Sequence, residues 1–528
     1  MLWLKKWLWV WCVLALWLSI GIGWGIPGYD SWAPDEVTPA RVMSGLHTAF
    51  SGNWYDTYPP FHYYVISAFY LPFLIAGKLG FIDTYAMPWY GVLSYVARMV
   101  SVLMGLGIIY FVYRLGQRLM DRNSGIAAAS ILALTLSFNY YTKVANVDIP
   151  YIFWFTFSLL FFVDILKYMR LKDFVMFGVA GTLAICTKDQ AYALFVIPAF
   201  YLIFTLQRHI KFNNPQAHVF SALLDKRLWM TALTVFVVFV LAHNWMFNFK
   251  GFMSHVQFIT SDGSKPWAEY GNSLSSHLIM FLRSLRHINY SFGWALTFIC
   301  LVGLIWSYIG LQKQERFGWL WMFPISYYIF FITVIRYNYV RFFLPVCIVL
   351  ALYGGLAIST FLKLKFRTRY IQYAVLAVLG LFAVHYTWGI NSLMLHDSRY
   401  AMEDWITQHV DADAYIGYAM LPEYAPRLDA FPHHEMVELT TETMETKKPD
   451  YLVLNWDYIQ RYRKDSQEYQ YFQKIRNGQT EYELVFDKYN NLSANHLKNI
   501  KILTNINKLN PQLELYKRTV MNAEREGD

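Results

Sequence analysis

The apolar residues of this chain are gathered into long runs, and this clustering constrains the fold more than any other feature of the sequence. Each run covers roughly 15–22 residues, close to the roughly 20 that an α-helix needs to cross a bilayer. The runs stop at about residue 390. The sequence therefore predicts a membrane region over residues 1–390 and a soluble domain over residues 391–528, which is long enough to bury its own core.

The charged residues support an integral membrane protein. They make up 15% of the chain, whereas ordinary soluble domains carry about a quarter. The net charge of +9 comes from short basic clusters between apolar runs, a distribution typical of the positive-inside rule rather than of a nucleic-acid-binding surface. The 4 cysteines lie in apolar runs without metal-ligand or redox spacing, so we expect buried thiols and no disulfide framework.

The basic clusters also predict the orientation of the chain. Lys5 and Lys6 precede an apolar run without a cleavage site, which predicts an uncleaved first helix and a cytoplasmic N-terminus. After the first helix the chain is outside, and the next basic loop is predicted to be cytoplasmic, so an odd number of crossings must separate them. Two apolar stretches, 61–77 and 92–115, lie in between, and only one of them can therefore span the membrane. The Tyr-rich first stretch is the better candidate for an interfacial or re-entrant helix. The first outer loop with its juxtamembrane helices then covers residues 27–91.

Assigning each basic loop to the cytoplasm along the rest of the chain predicts about eleven membrane-spanning helices. It also predicts a C-terminal domain outside the cytoplasm, as in a multi-pass protein of the cell (inner) membrane. The predicted spans lie near residues 7–26, 92–115, 124–141, 150–167, 173–186, 190–205, 229–247, 291–310, 318–334, 341–360 and 372–389. Four of the basic residues that this count places in the cytoplasm are Lys313, Arg316, Lys365 and Arg367. The soluble domain alternates a helix-like stretch, RYAMEDWITQHV, with the strand-like AYIGYAM, YLVLNW and YELVFD, which predicts an α/β fold.

Three acids share the predicted outer face. Asp35 and Glu36 are adjacent in the first outer loop, and Asp148 lies at the end of one predicted helix, just before Pro150 opens the next. A helix cap or a solvated loop would account for each acid alone. Because the topology brings Asp35 and Asp148 to one face, their carboxylates could instead converge on one cleft, one as base and one as positioner.

Three cations lie on the same face. Lys188 stands between two short apolar runs, where a cation near membrane depth needs an anionic partner, either a lipid phosphate or neighbouring Asp189. Arg336 and Arg341 lie on the side that the positive-inside rule disfavours for basic residues. A guanidinium binds phosphate oxygens in a bidentate fork, although snorkelling to lipid headgroups would explain either arginine alone.

Aromatic and imidazole side chains also gather there. His255 and Trp267 lie in the outer loop over residues 248–290, and such side chains could stack on a sugar ring or bind a metal. His62 and His243 add imidazoles near the same face. Because the sequence has no HExxH or paired-Cys spacing, a divalent metal stays an open alternative to a structural role for these histidines.

Six strings follow one another along the chain with a consistent order and sidedness. They are APDE, YPPFHYY, ARMVSVLMGLGIIYFVYRLGQRL, NVDIPYIFWFTFSLLFF, CTKDQAYALFVIPAF and VRFFLPVCIVLALYGG. Together they resemble the GT-C superfamily of glycosyltransferases, in particular the lipid A aminoarabinose transferases and the protein O-mannosyltransferases. The resemblance covers about residues 1–430 and includes the start of the soluble domain, HDSRYAMEDW. It implies the GT-C fold and a polyprenyl-phosphate sugar as the donor.

The resemblance implies roles for individual residues. Asp35, with Glu36 beside it, matches the family's catalytic base, and Asp148 matches its second functional acid. The family holds the donor phosphate with basic residues at helix ends, and the residues that look similar by position are Lys188, Arg336 and Arg341. Further candidates for substrate binding are Tyr58, His62, Lys143, His255 and Trp267.

Two departures from the family pattern leave the donor sugar undefined. Thr57 and Tyr58 stand where aminoarabinose transferases have an acid and a lysine before the double proline. Those enzymes also carry an arginine soon after the outer-loop histidine, and none follows His255 in that segment here. The acceptor is equally undefined, and a lipid, a glycan or a protein hydroxyl fits.

The resemblance implies direct displacement at the anomeric carbon with inversion. Asp35 would remove the proton of the acceptor hydroxyl while the polyprenyl phosphate leaves against positive charge. A transporter or flippase of lipid-linked sugars would also explain the helices, but it would leave the soluble domain unexplained. A polysaccharide polymerase or ligase usually carries a large outer loop instead of such a domain. No cofactor is predicted apart from the open question of a divalent metal.

Overall fold

The computed structural model describes residues 2–262, 268–309, 317–364, 369–498 and 501–519, so that Trp267, Lys313, Arg316, Lys365 and Arg367 lie outside the described residues. Helices dominate the membrane region, and a five-stranded sheet follows it. The α-helices of the membrane region are α1 (Leu2–Ser19), α2 (Pro39–His47), α3 (Phe61–Lys78), α4 (Met87–Leu119), α5 (Arg122–Ala133), α6 (Leu136–Tyr141), α7 (Asp148–Tyr168), α8 (Leu171–Thr187), α9 (Val196–Asn213), α10 (Lys226–Ala242), α11 (Phe249–Gln257), α12 (Leu274–Ile309), α13 (Met322–Tyr327), α14 (Thr333–Ile335), α15 (Leu344–Lys363) and α16 (Arg369–Leu395).

Seven helical segments of the described chain are long and apolar enough to cross a membrane, which supports an integral membrane protein. They are Met87–Leu119, Asp148–Tyr168, Asp189–Asn213, Leu274–Ile309, Phe317–Ile335, Val340–Lys363 and Arg369–His409. The predicted number of about eleven is not confirmed, because the remaining four predicted spans correspond to shorter or broken helices. The α8 and α10 helices have 17 residues each, the apolar part of α1 is short, and the run at 124–141 is divided between α5 and α6. The α3 helix is not among the seven.

Local sequence signals explain where several helices begin. Asp121 accepts the backbone N–H of Ser124 at 2.7 Å before α5, and Asp225 accepts that of Arg227 at 2.8 Å before α10. Proline stands in the first turn of α4 and α15, where its missing N–H leaves no helix hydrogen bond unmade. These caps satisfy backbone donors that would otherwise be unpaired at the helix starts.

The α15 helix lies at the centre of the bundle, and glycines allow its neighbours to approach. A Cβ on Gly355 would lie 2.4 Å from the Ser124 carbonyl oxygen, and one on Gly303 of α12 would lie 1.8 Å from that of Tyr353. Such close backbone contact is a usual way for helices to associate in membranes. The α12 helix is interrupted at Gly293, which has a φ of +66°. The predicted span at 291–310 therefore covers only the part of α12 that follows this kink.

The soluble domain is an α/β domain, as predicted. Its sheet has the order β2-β1-β3-β5-β4, in which β1 is parallel to β2 and β3, while β5 is antiparallel to β3 and β4. Every residue of β3 is buried, because helices cover both faces of the sheet. The elements are α17 (Ser398–His409), β1 (Ile416–Tyr418), β2 (His434–Met436), α18 (Thr441–Lys447), β3 (Tyr451–Asn455), α19 (Trp456–Ile459), α20 (Gln467–Arg476), β4 (Tyr482–Lys488) and β5 (Leu513–Arg518).

A stretch before β5, residues 492–498 and 501–509, packs the soluble domain against the membrane region; we call it the docking stretch. Its buried Leu497 and Ile506 belong to the main hydrophobic core of the membrane region. The Val340 N–H donates to the Leu503 carbonyl at 2.9 Å, and the Tyr290 hydroxyl donates to the Leu497 carbonyl at 2.5 Å. The sequence contains no motif there, but this stretch joins the two parts of the protein.

A buried ion pair forms a second junction between the two parts. Asp397 and Arg399, at the start of α17, have side chains that are 0% exposed and lie 2.8 Å apart. Arg399 stacks on Trp32 of the first loop at 4.0 Å from the ring centroid, and the Trp24 indole N–H donates to Asp397 at 2.9 Å. The soluble domain is thereby tied to the loop that carries Asp35.

Candidate active site

Four charged side chains meet where the soluble domain adjoins the membrane region. They come from the loop after α1, the first residue of α7, the residue that follows α8 and a 3₁₀ turn before α15. Helix ends and loops position all four, so each charge lies near the boundary of the bundle. The residues are Asp35, Asp148, Lys188 and Arg341, and we call them the charge cluster.

The distances within the charge cluster define an alternating chain of acids and bases. Lys188 Nζ lies 2.7 Å from Asp148 Oδ1. Arg341 Nη1 lies 2.6 Å from Asp35 Oδ2 and 3.9 Å from Asp148 Oδ2. The guanidinium of Arg341 therefore lies between the two carboxylates. This is the convergence of Asp35 and Asp148 that the sequence raised as an alternative to separate helix caps.

Exposure distinguishes the four members. The Asp148 side chain is 1% exposed, Lys188 is 8% and Arg341 is 14%, whereas Asp35 is 42% exposed. Asp35 is thus the most accessible member of the charge cluster. The positive charge of Arg341 holds the pKa of Asp35 below its ordinary value despite partial burial, and Lys188 acts in the same direction. Asp35 is therefore ionised at neutral pH.

The backbone at Asp35 adopts a left-handed conformation with a φ of +61°. Few non-glycine residues adopt it, and Asp and Asn are the commonest among them. The next residue, Glu36, fixes the loop because Arg98 donates to its two oxygens at 2.7 and 2.8 Å, and the Ala145 N–H donates at 2.6 Å. Ser31 also donates to Glu36. Adjacent acids consequently have different surroundings: Asp35 is partly exposed, while Glu36 is buried and fully partnered.

Aromatic rings line the charge cluster. Lys188 Nζ lies 5.6 Å from the Tyr58 ring centroid and 5.7 Å from that of Tyr151. Arg341 lies 4.7 Å from the Tyr339 ring centroid. Rings at these distances attract cations without neutralising their charge. Tyr58, where the related enzymes have a lysine, is therefore a neighbour of the cluster.

Three other candidates lie apart from the charge cluster. Arg336 donates to Asn272 at 2.7 Å, and its backbone carbonyl accepts from Glu269 and Tyr270. Among the described residues, no hydrogen bond or ion pair joins Arg336 to the cluster. Lys143 is fully buried and donates to Asn139 at 2.5 Å and to Asn391. His62 is 0% exposed, and both of its ring nitrogens lack a hydrogen-bond partner among the described residues.

His255 belongs to a separate group of possible metal ligands. Its Nδ1 lies 2.9 Å from the Asp56 carbonyl oxygen, an acceptor, so that Nδ1 carries the proton. In a neutral imidazole, Nε2 then presents a lone pair to Asp189 Oδ2 only 3.0 Å away. Burial alone would lower the pKa of His255. The contacts with Asp189 and Asp56 outweigh this effect and raise the pKa above its ordinary value. A proton or a metal ion between the two atoms would resolve the repulsion.

His243 completes this group. Its Nε2 lies 3.5 Å from Asp189 Oδ1, and its Nδ1 has no partner in the described part of the chain. The ligand atoms of Asp189, His243 and His255 all lie within 4.8 Å of one another. Two imidazoles and a carboxylate form a ligand set that Zn²⁺ uses. Asp189 was not predicted as a metal ligand, because residues 189, 243 and 255 have no local spacing in the sequence that would join them.

Comparison with known proteins gives matches of sequence and of structure. Residues 81–245 match the family described as dolichyl-phosphate-mannose-protein mannosyltransferase. A comparison with curated protein sequences finds no match.

The fold is similar to that of ArnT from Cupriavidus metallidurans. For its undecaprenyl-phosphate-bound structure the TM-score is 0.51 at 12% identity, with 97% of this chain and 98% of that chain covered. The apo state gives a TM-score of 0.50 at 14% identity and the same coverage. The archaeal oligosaccharyltransferase AglB from Archaeoglobus fulgidus has a TM-score of 0.47 at 13% identity, covering 92% of this chain and 73% of that chain.

The fold and the charge cluster define an integral membrane protein with a cluster of four charged side chains where an α/β domain adjoins the membrane helices. More specifically, the chain has the GT-C fold and resembles ArnT and the O-mannosyltransferases, as the sequence motifs predicted.

Proposed function

We propose that this protein is a membrane glycosyltransferase that transfers a sugar from a polyprenyl phosphate to a hydroxyl of a lipid, glycan or protein. The observation that carries the proposal is the Asp35–Arg341–Asp148–Lys188 arrangement, in which one accessible carboxylate lies beside two cations. A carboxylate can accept a proton from an attacking hydroxyl, and cations can stabilise a departing phosphate. The GT-C fold and the mannosyltransferase match support the donor class.

In the proposed reaction, the acceptor oxygen forms a bond to the anomeric carbon while the bond from that carbon to the phosphate oxygen breaks. Asp35 takes the proton of the acceptor hydroxyl, and the electron pair leaves with the polyprenyl phosphate towards Arg341 and Lys188. Attack from the face opposite the leaving group inverts the anomeric centre. Asp148 holds Lys188 and Arg341 in place, because its buried carboxylate lies between them.

Arg341 also provides a way to couple donor binding to base strength. Without a donor, Arg341 pairs with Asp35 at 2.6 Å and lowers the pKa of Asp35, which makes it a weak base. A donor phosphate that engages Arg341 would draw its positive charge away from Asp35. The pKa of Asp35 would then rise only when a donor is present. Proton removal from an acceptor without a bound donor would thereby be limited.

Lys188 is expected to bind the lipid phosphate. Replacing Lys188 with methionine should weaken the binding of farnesyl phosphate, used as a short polyprenyl phosphate, about ten- to hundredfold, because one charge-assisted contact is lost. Fluorescence titration of the purified full chain in nanodiscs measures this affinity. Lys250→Met, which changes an exposed lysine of α11, should leave it unchanged.

The Lys188→Met variant also leaves buried Asp148 without its close partner, which threatens folding. The double variant Lys188→Met with Asp148→Asn removes both charges and should restore stability but not binding. Equal affinity of wild type and a folded double variant would exclude Lys188 from the phosphate site. Transfer itself is tested by mass spectrometry of lipids, glycans and glycoproteins from cells with and without an active enzyme.

We further propose that Asp189, His243 and His255 bind a divalent metal such as Zn²⁺ with a structural role. His255 holds the carbonyl of Asp56 in the first loop, and Asp189 directly follows Lys188. A metal in this group would therefore fix the first loop relative to the charge cluster. Its chemistry would be to neutralise Asp189 and to orient two imidazoles.

Metal binding should appear in stability and composition. The purified protein should contain about one equivalent of metal, and chelation should lower its Tm in detergent, because ligands held by the metal would be released. His255→Gln should abolish both the bound metal and the effect of the chelator. His409→Gln, which changes an exposed histidine of the soluble domain, is the matched control. If the purified protein contains no metal and added Zn²⁺ leaves its Tm unchanged, a proton occupies the position between His255 and Asp189 instead.

We place the protein in the cell (inner) membrane with its N-terminus in the cytoplasm and its soluble domain outside, following the distribution of basic residues. The family and fold matches do not favour the transporter or flippase alternative. A transporter would also have no evident use for an accessible carboxylate paired with an arginine under a soluble domain.

A further inference from the structure

A lysine is enclosed between α6 and α16 without an acid beside it. Lys143 is 0% exposed, and its Nζ donates to Asn139 Oδ1 of α6 at 2.5 Å and to Asn391 Oδ1 of α16. Within the described ranges of the chain Lys143 forms no ion pair, whereas the other buried lysine near the outer face, Lys188, lies 2.7 Å from Asp148. The charge of Lys143 therefore lacks a counter-charge among these residues.

The hydrogen bonds around Lys143 are also unbalanced. An ammonium has three protons to donate, and two of them go to the amide oxygens. The Nδ2 groups of Asn139 and Asn391 are buried and have no partner in the part of the chain that the structure describes. The oxygen and nitrogen of one amide are about 2.2 Å apart, so each Nδ2 lies within about 5 Å of Nζ. The unpaired groups of these three residues are all donors, and turning an amide around would place its NH₂ against the ammonium.

An enclosed ammonium without a counter-charge is costly, so such a lysine either loses its proton or gains an anion. Burial lowers the pKa of Lys143 well below its ordinary value, and no acid opposes this effect. The amides favour the charged form, because a neutral amine would accept a hydrogen bond from one Nδ2, yet both amides present their oxygens to Nζ. A water molecule would satisfy some donors but would leave the charge uncompensated.

We propose that Lys143, Asn139 and Asn391 bind a small monovalent anion such as chloride, enclosed between α6 and α16. One negative charge balances one ammonium, and a monatomic anion accepts hydrogen bonds from the ammonium and from both Nδ2 groups. Because Lys143 is fully buried, the ion is a resident part of the fold and not a substrate. The turn after Lys143 leads to Asp148, so the ion ties the start of α7 to α16.

The experiment measures the Tm of the purified full chain in detergent, in sodium chloride and in sodium gluconate at equal ionic strength. Gluconate is too large for an enclosed site of this kind, so the Tm should be several degrees higher in chloride. It should also rise with the logarithm of the chloride concentration, as for a ligand that binds only the folded state. Lys143→Met should remove this difference between the two salts.

Asn391→Asp provides the decisive variant, because it supplies a carboxylate of nearly the same shape beside Lys143. It should keep a high Tm in gluconate and lose the response to chloride, since the ion pair then lies within the protein. Asn477→Asp, which changes an exposed asparagine after α20, is the matched control and should respond to chloride as the wild type does. This comparison stays informative if Lys143→Met does not fold.

Bromide locates the ion directly, because it scatters X-rays anomalously. Crystals of the wild-type chain grown in bromide should show an anomalous peak beside Lys143 Nζ, and crystals of Asn391→Asp should show none there. A wild-type Tm that is equal in chloride and gluconate would overturn the proposal, as would bromide crystals without the peak, and Lys143 would then be a neutral amine. Neither measurement needs a substrate, so the result does not depend on the proposed glycosyltransferase function.

Discussion

Replacing Asp35 with asparagine is expected to yield a folded protein that transfers sugar about 100- to 10,000-fold more slowly, because the neutral amide cannot accept the hydroxyl proton. Asparagine has nearly the same shape and tolerates the left-handed backbone that Asp35 adopts at a φ of +61°. The variant should therefore keep the loop in place. Mass spectrometry of lipids, glycans and glycoproteins from cells at matched expression would show one species that is lost with the variant, and that species names the sugar and the acceptor.

Size-exclusion profile and Tm provide the control for folding, since Asp35 is partly exposed and its loss should change stability little. Asp35→Ala is a poorer test because alanine disfavours the left-handed conformation. Unchanged mass spectra with folded Asp35→Asn protein would remove Asp35 from catalysis and bring the transport alternative forward.

Replacing the adjacent Glu36 with glutamine is expected to act on stability instead. The change leaves Arg98 buried without its ion-pair partner, and its side chain is only 2% exposed. Breaking a buried pair in this way typically costs about 3–5 kcal/mol. The Tm in detergent should fall well below that of Asp35→Asn, and the yield of folded protein should fall with it.

The double variant Glu36→Gln with Arg98→Met tests the reason for this loss. It removes both charges, so it should recover much of the stability that Glu36→Gln alone loses. If Glu36→Gln kept the wild-type Tm and lost activity, Glu36 would belong to the catalytic machinery and not to the support of the loop.

The sequence predicted the fold class because apolar runs and basic clusters are local signals, and it predicted strands β1, β3 and β4 because their residues form short apolar runs. The predicted number of about eleven spans is not confirmed by helix length. The run at 124–141 appears continuous in hydropathy, yet the chain turns at Leu134 and Thr135 between α5 and α6. Strand β5 was not predicted, although it lies between β3 and β4.

The charge cluster was foreseen in part. Topology alone predicted that Asp35, Asp148, Lys188 and Arg341 share one face. It could not predict which acid pairs with which base, because the paired residues are 40 to 306 positions apart in the sequence. Arg98 could not be singled out, because an arginine within a long apolar helix has no local pattern that names Glu36 as its partner. Nor could the contact of the soluble domain with the membrane region, which depends on the packing of residues 492–498 and 501–509.

The buried Asp397–Arg399 pair limits how far the soluble domain can move away from the first loop. Lifting the soluble domain would withdraw Arg399 from Trp32 and expose an ion pair that is now completely enclosed. The domain should therefore behave as a fixed cover rather than a hinged one. Substrates that belong to the bilayer would then arrive sideways, between helices, and the spent lipid would diffuse back by the same lateral route without any large rearrangement of the protein.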